Sequence, residues 1–501
     1  MKKAIAILAK GTLALILVSV AAVIGIALLA PGLHSSSLAM MFNVVAGSSS
    51  AVDRETLLQR LVVEEGYQLS LYASGFSKAR MLRRSNNGDL LVSDPKAGTI
   101  TALHDRDNDG NADAHSILLE GLGYPHGIEL HGDYLYVAES NRVGRIRFDQ
   151  HTGTTSGNYE VIINGLGDNG GHRSKSLRIS DDGWLYLASG SSCNVCEEDD
   201  PARAAISRYR SDGSDGRLYA TGLRNAVGLD FAHWNGQLYA TDNGRDLLGD
   251  DFPPCELNRV TDQGFYGWPY LNGDNLPDPD FGELASTHAG STIQSAIKPA
   301  FSFAAHNAPL GIHFTDVFGK SALVALHGSW NRSQPDGYKV VVLHWDDADN
   351  ISSTDFVSGF EHRGNIVGRP VDIVDDGARG FFISDDYANV IYRVQPNHSR
   401  APHTGYVLDL NASTPITKTA QRAADTSSTS ATYAAEGQQL FEQYGCGGCH
   451  KAQSLPLVAL QKKYDTEGID QLLQYPPASM PAPSLTAAER LALANYLLAT
   501  L

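Results

Sequence analysis

The chain has 501 residues, of which 42% are hydrophobic, a length that favours several domains and a composition that suits ordinary globular cores. Its formal net charge of −17 excludes a nucleic-acid binder, which needs a basic surface.

The first predicted element is apolar. GTLALILVSVAAVIGIALLA, Gly11 to Ala30, carries no charge. As a helix rising about 1.5 Å per residue it spans a hydrocarbon core of roughly 30 Å. Lys2, Lys3 and Lys10 precede it and place the N-terminus in the cytoplasm, with the rest of the chain outside. A cleaved signal peptide is the alternative, but its apolar region is usually about 7–15 residues. Residues 1–32 are therefore expected to be an uncleaved transmembrane anchor in the inner membrane, with the catalytic body in the periplasm.

A mainly β domain is expected over residues 55–405. One phrase recurs there: a glycine turn, a short apolar and aromatic strand, then Ser, Asp or Asn. It appears at Gly88, Gly132, Gly183, Gly236, Gly319 and Gly380, in phrases such as NGDLLVSD, HGDYLYVAES and NGQLYATDNG. Six copies about 44 to 83 residues apart, rich in turns and poor in helical periodicity, predict a six-bladed β-propeller. Each blade closes against its neighbours and leaves few exposed edges.

Within this domain DRDNDGNAD places Asp105, Asp107 and Asp109 like the first half of a calcium loop. The twelfth position is Ser116 rather than a bidentate glutamate, so it is not an EF-hand. A structural Ca²⁺ and a metal-free Asp-rich turn are both open. SSCNVCEEDD holds Cys193 and Cys196, expected as a local disulfide in an exported protein, which leaves Cys255 as a buried odd thiol. Three cysteines fall short of a four-ligand zinc site.

Polar clusters sit beside the repeated strands. DNGGHRSKSLRIS places His172 in a glycine-rich loop, and TGLRNAVGLD contributes Arg224 and Asn225. TDNGRDLLGDD, with Gly244 and Arg245, has the bend and oxygens that suit a hard cation. HGSWNRSQPDGYKVVV supplies Trp330, Arg332 and Lys339, and IVGRPVDI supplies Arg369. Basic side chains around one histidine and a cation loop suit a ligand that carries several carboxylates.

Residues 406–432, with the run NASTPITKTAQRAADTSSTSATYA, cannot bury a core and are expected to be a flexible linker. Residues 433–501 form the last predicted unit, a small all-α domain. YGCGGCHKAQ contains Cys-x-x-Cys-His, the attachment sequence of a c-type haem: Cys446 and Cys449 for the vinyl groups and His450 as axial ligand. Met480, in a Pro-rich loop, is the expected sixth ligand, and His/Met ligation raises the iron's potential. Thr486 and Glu489 match a capping box that opens a closing helix. The arrangement looks like a class I cytochrome c.

GLRNAVGL, TDNGRDLLGDD, FYGWPY, HGSWNRS with GYKVVV, and SSCNVCEEDDPARAAI together resemble the sugar dehydrogenases that bind pyrroloquinoline quinone (PQQ) in a six-bladed propeller, closest to their sorbosone and pyranose branch. The resemblance runs from about Leu61 to Val394. It implies His172 as general base, and Arg224 and Asn225 on the quinone oxygens and carboxylates. It also implies Lys339 and Arg369 as basic cofactor contacts, and the carbonyls of Gly244 and Arg245 on a Ca²⁺ that sits on PQQ. Arg80, Trp330 and Arg332 are weaker correspondences. The chain departs from the family at Cys255, where an acidic residue is usual. The activity the resemblance implies is hydride transfer from a sugar or sugar aldehyde to PQQ. The haem would then carry electrons to ubiquinone, another cytochrome or a terminal oxidase. A Ca²⁺-dependent hydrolase propeller and a non-catalytic haem-tethered binding propeller are the other classes these features admit.

Overall fold

The computed structural model describes residues 54–107, 110–284, 291–397, 407–416, 421–422, 440–441, 469, 473, 485 and 487–500. The Gly11–Ala30 stretch, Asp109, the haem motif at Cys446, Cys449 and His450, and Met480 lie outside the described residues. Among the described residues no helix is long and apolar enough to cross a membrane.

Six sheets, each built on four antiparallel strands, form the blades of a propeller. The innermost strands, in chain order, are Leu82–Arg84, Ile128–His131, Lys175–Ile179, Ala226–Phe231, Pro309–Thr315 and Pro370–Asp375. Each packs beside the inner strand of the next blade, and the last returns to the first, so they ring a central channel. Blades are numbered 1 to 6 in this order. The six repeated glycines all fall in the turn between the first and second strands of a blade. Five of them have positive φ, which a side chain resists; at Gly380 a Cβ would stand 2.5 Å from both Asp376 Oδ2 and the Val394 carbonyl.

The second strands are buried on both faces, as in Leu90–Asp94, Leu238–Asp242 and Ser321–Leu326. The cause is that apolar cores lie between blades. Leu323, Val340 and Phe356 of blade 5 meet Phe381, Ile383 and Tyr392 of blade 6. Val92 and Leu103 of blade 1 meet Phe382 and Ile391 of blade 6. Truncating a side chain such as Phe381 to alanine would cost about 3–5 kcal/mol.

The ring closes with strands from both ends of the domain. Tyr67–Ser74 pairs antiparallel with Val390–Pro396 and completes blade 6 from the N-terminal side. Leu408–Asp409 then runs parallel to Tyr67–Ser74, with Leu408 buried. Ser413 Oγ lies 3.2 Å from His115 Nδ1, and Ile416 N–H donates to the His115 carbonyl at 3.0 Å. Residues 407–416, expected to open the flexible linker, are therefore propeller. Leu408, just ahead of the polar run, supplies the burial that holds this stretch. An insertion over residues 264–300, between the third and fourth strands of blade 4, accounts for the widest spacing in the repeat.

The chain divides into two units, Met1–Gln421 and Arg422–Leu501. In the second, Ala487–Thr500 is the expected closing helix. Leu493 and Leu497 join Leu440, Phe441, Ile469 and Leu473 in a buried apolar cluster.

Candidate functional site

In an antiparallel blade, loops alternate between the two ends of the channel. The loops that enter each inner strand, and the loops between second and third strands, therefore share one end. Every propeller residue that the sequence assigned to the cofactor site falls on that end. Each entering loop delivers a polar residue one to three positions before its strand: Arg80, His126, His172, Arg224 with Asn225, His306 with Asn307, and Arg369. These form an upper ring.

His172 sits in the Gly170-Gly171 loop with φ of 47°, a conformation that costs a non-glycine residue and is held here by its surroundings. Its Nδ1 lies 2.9 Å from Ser191 Oγ and 3.1 Å from the Ser191 carbonyl. Ser191 Oγ donates its own proton to the Cys193 carbonyl at 2.7 Å. Both Ser191 oxygens are thus left to accept, so Nδ1 carries the hydrogen and Nε2 keeps a bare lone pair. Burial, then the charges of Arg224 and Arg203, push the His172 pKa down to about 3, so the ring is neutral at neutral pH.

Gly190 makes the floor. A Cβ there would stand 2.6 Å from His172 Cβ and 2.6 Å from Asn225 Oδ1, so the base and the amide share a cradle that no side chain can enter. Arg224 is buried beside them with all five N–H groups engaged. Nε donates to the Asn194 carbonyl at 2.8 Å, and Nη1 to the carbonyls of Asn243 at 3.2 Å and Gly244 at 2.9 Å. Nη2 donates to Asn194 Oδ1 at 2.8 Å and Asp246 Oδ2 at 3.1 Å. Arg224 therefore presents its charge rather than a free donor edge. Arg203, which the sequence reading missed, is buried behind His172 and donates to the carbonyls of Gly190, Asn169 and Gly171.

Across the mouth, Arg369 donates through Nε to the His327 carbonyl at 2.9 Å and through Nη2 to that of Gly328 at 2.6 Å, leaving Nη1 without an acceptor among the described residues. Arg80 joins Asp386 at 2.9 Å and His126 Nε2 at 3.0 Å, and His327 Nε2 meets Asp386 Oδ1 at 2.7 Å. Burial, then the Arg369 charge, push the His327 pKa to about 4. His126, His327 and Asp386 were also missed. Their signal was positional, since His126 precedes an inner strand as His172 does, and the other two directly follow repeated strands.

The remaining expected residues are placed differently. Arg245 turns its side chain from the mouth into Asp278, at 2.6 and 2.8 Å, and Asp280 at 2.8 Å. Lys339 lies on the third strand of blade 5, its ammonium 2.7 Å from Asp355 on the fourth strand, which draws it from the ring. Arg332 bonds the Asp250 carbonyl and, at 3.1 Å, Asp251 Oδ1, and so ties two rim loops together. Trp330 is half-buried in the same loop. Cys193 and Cys196 form the expected disulfide, and Cys255 is the buried free thiol, its pKa pushed up to about 11 by burial.

Beside Gly244, Asp246 Oδ1 accepts from Asn331 Nδ2 at 3.2 Å and lies 4.0 Å from His306 Nδ1. Asn331 Oδ1 and His306 Nδ1 are buried without a hydrogen-bond partner. Elsewhere Asp105, Asp107 and Asp113 bring carboxylate oxygens within 4.8 Å of one another. Asp105 and Asp113 also accept backbone N–H groups of Gly110 and Arg106, at 2.9 and 2.8 Å.

Deeper in the channel lies a second ring, one charged or titratable residue from each inner strand: Arg83, Glu129, Arg178, Asp230, His313 and Asp372. Arg178 bonds Glu129 at 2.7 Å and Asp230 at 2.6 Å, and Arg83 reaches Glu129 at 3.3 Å and Asp372 at 3.6 Å. His313 lies 4.0 Å from Asp230 and, on its other side, 3.8 Å from Asp375. A polar cavity of about 380 Å³ adjoins this belt, lined by Arg83, Arg84, Asn86, Gln150, Arg178 and His313 among others.

The chain matches the TrAA12-like family over residues 61–255 and 281–397. It is 25% identical over 336 residues to a pyrroloquinoline quinone-dependent pyranose dehydrogenase of Coprinopsis cinerea, a span covering 56% of this chain and 44% of that protein. It is 26% identical over 319 residues to a pyrroloquinoline quinone-dependent sugar dehydrogenase of Hypocrea jecorina, covering 54% of this chain and 73% of that one. The match thus reaches less than half the length of the Coprinopsis relative. Among solved structures, the Trichoderma reesei carbohydrate-active enzyme of family AA12 superposes with a TM-score of 0.59 at 22% identity, over 67% of this chain and 97% of that one, a likeness of fold.

Proposed function

Because the chain belongs to the TrAA12-like family, we propose that it is a membrane-anchored, PQQ-dependent dehydrogenase of a sugar or sugar aldehyde, with a C-terminal haem c as its electron outlet. The observation that carries the reading is His172 with its bare Nε2, held with Asn225 over Gly190 inside a ring of guanidinium groups.

The ring fits the cofactor. PQQ is a flat quinone with three carboxylates, and Arg80, Arg224 and Arg369 bring cationic charge to one mouth. Arg369 Nη1 is available for a carboxylate, while Arg224 acts through its field. The Asp246 carboxylate, the Gly244 carbonyl and Asn331 Oδ1, which is buried without a partner, are oxygens of the kind a Ca²⁺ takes. Arg245, its side chain spent on Asp278, can offer only its carbonyl there. The Asp105, Asp107 and Asp113 carboxylates, within 4.8 Å of one another, fit a structural Ca²⁺ as well as a metal-free turn.

When bound, PQQ supplies the two-electron oxidation of the carbon that bears the substrate hydroxyl. His172 takes the hydroxyl proton on Nε2, and its Nδ1–H bond to Ser191 keeps the ring oriented while it becomes charged. The buried Arg224 charge favours negative charge gathering on a ligand oxygen nearby. Asn225 orients the ligand from the Gly190 floor, and the lower belt closes the far end of the channel.

The Cys446-x-x-Cys449-His450 sequence and Met480 support covalent haem c, and Gly11–Ala30 supports an inner-membrane anchor with a periplasmic body. Electrons would then pass to ubiquinone, another cytochrome or a terminal oxidase. The test follows reduction of the haem absorption band when haem-loaded protein meets aldoses and ketoaldoses. Reduction that requires PQQ, Ca²⁺ and His172 together supports the reading, and an unreduced haem under those conditions contradicts it.

A further inference from the structure

The loop between the second and third strands of blade 3 reaches both reactive groups at once. Its Cys193 carbonyl accepts the Ser191 hydroxyl at 2.7 Å, and this leaves Ser191 Oγ to receive His172 Nδ1–H. One residue on, Asn194 meets Arg224 with its carbonyl at 2.8 Å and its side-chain oxygen at 2.8 Å. The same side chain also ties the neighbouring strand-end loop. Nδ2 donates to the Asp246 carbonyl at 3.1 Å, and Oδ1 receives Asp246 N–H at 2.9 Å.

The disulfide between Cys193 and Cys196 closes this loop around Asn194. Both flanks are anchored. Glu198 accepts Ser192 N–H and Ser192 Oγ–H, each at 2.7 Å, and Tyr270 Oη donates to Glu197 Oε1 at 2.6 Å. Residues 192–196 are only half-buried, so apolar packing does little to fix them. A cross-link over so few residues gives the smallest gain in chain entropy. Its effect is therefore local, on where Cys193 and Asn194 point.

We propose that the Cys193–Cys196 loop is the positioning element of the site: Ser191 holds His172 in the Nδ1–H tautomer, and Asn194 holds Arg224 against the Gly244 carbonyl. Neither Ser191 nor Asn194 touches the reacting atoms, and both act through the residue they hold. The proposal rests on the dehydrogenase reading for its effect on turnover, but not for its effect on His172 itself.

The experiment uses the full chain as Ser191→Ala, Ser191→Thr, Asn194→Ala and the double variant Cys193→Ser/Cys196→Ser. The first readout needs no cofactor: ¹⁵N NMR of histidine-labelled protein reports the His172 tautomer, with His172→Ala to assign the signal. The wild type should show Nδ1–H alone, and Ser191→Ala and the double cysteine variant a mixture. The second readout is sugar oxidation after loading with PQQ and Ca²⁺. Turnover should fall roughly 10–100-fold in Ser191→Ala, Asn194→Ala and the double variant, the scale seen when groups that orient a ligand are lost, with KM changed less than about twofold. Ser191→Thr, which keeps the hydroxyl, should restore both readouts.

Folded variants with a wild-type tautomer and wild-type turnover would overturn the proposal. If the double cysteine variant does not fold, Ser191→Ala and Asn194→Ala decide. A wild type that shows the Nδ1–H tautomer yet neither binds PQQ nor oxidises sugar would sink the dehydrogenase reading alone. The tautomer series would then still decide the positioning claim.

Discussion

Two rings of polar side chains share one channel, and they satisfy their charges in opposite ways. The lower belt pairs unlike charges: Arg178 lies between Glu129 and Asp230, and Arg83 between Glu129 and Asp372. In the upper ring, Arg80 pairs with Asp386 and Arg224 with Asp246, but Arg369 and the adjoining Arg203 donate to backbone carbonyls. Hydrogen bonding is complete or nearly so in both, yet every belt arginine bridges two carboxylates while two guanidiniums at the upper ring bond only neutral oxygens. A guanidinium on neutral carbonyls keeps its field, so the upper ring retains the attraction for an anionic ligand that the belt has spent. The source of the residues obeys the same division. Strands supply the belt, and loops supply the ring, where a φ of 47° at His172 is tolerated.

The largest expected effect separates the rings by function. His172→Ala should lower sugar turnover by about 10²–10⁴, the usual contribution of a general base, while PQQ binding measured by titration persists. The belt answers to stability instead. Arg178→Met strands the buried Asp230 and leaves Glu129 with Arg83 alone, and should cost about 3–5 kcal/mol in urea unfolding; a loss below about 1 kcal/mol would mean these charges do not form a network.

Smaller effects sharpen the upper ring. In Gly190→Ala the new Cβ meets His172 and Asn225, and overpacking of this kind costs about 1–3 kcal/mol. Turnover should drop while the unfolding midpoint moves by no more than that amount. The acid side of kcat/KM is set by the His172 pKa near 3. The profile of the free enzyme should stay flat down through pH 6.5 and fall only well below it. Arg224→Met should move that fall to higher pH, because the arginine charge opposes protonation of the imidazole.

The smallest effect is a stability change with pH. Burial, then Asp242, raise Glu256 to about 8. A carboxyl raised above its unfolded value favours the fold at low pH, and that contribution is lost as pH climbs from about 4.5 through 8. Glu256→Gln, which keeps one oxygen to accept Gly273 N–H and turns an amide nitrogen towards Asn258, whose Oδ1 has no partner, should therefore raise the melting temperature more at pH 9 than at pH 6. Equal shifts at both would place the titration elsewhere.

Much of the propeller was legible in the sequence because its punctuation is local. A glycine with positive φ between the first two strands of a blade leaves a mark such as NGDLLVSD within eight residues. His172, Arg224, Asn225 and Arg369 were legible for a related reason, since each lies just before an inner strand. The lower belt was not, because it contributes one residue per blade and its partners are distant in sequence; Arg83 meets Asp372 across the ring closure. Where the Lys339 and Arg245 side chains turn was not legible, because Asp355 and Asp278, which bond them, are set by strand pairing and by the 264–300 insertion. The role of Asn194 was also hidden. SSCNVC announced a disulfide but not the guanidinium it surrounds.

The central claim is that the upper ring holds an anionic quinone cofactor and the lower belt does not. It is tested most directly by titrating PQQ into the full chain with Ca²⁺ and measuring bound cofactor by equilibrium dialysis, for wild type and Arg369→Met. The account predicts one equivalent bound by the wild type and binding weakened at least about tenfold in the variant, the scale of one lost charge-assisted contact. No retained PQQ in the wild type, or identical affinity in Arg369→Met, would contradict it.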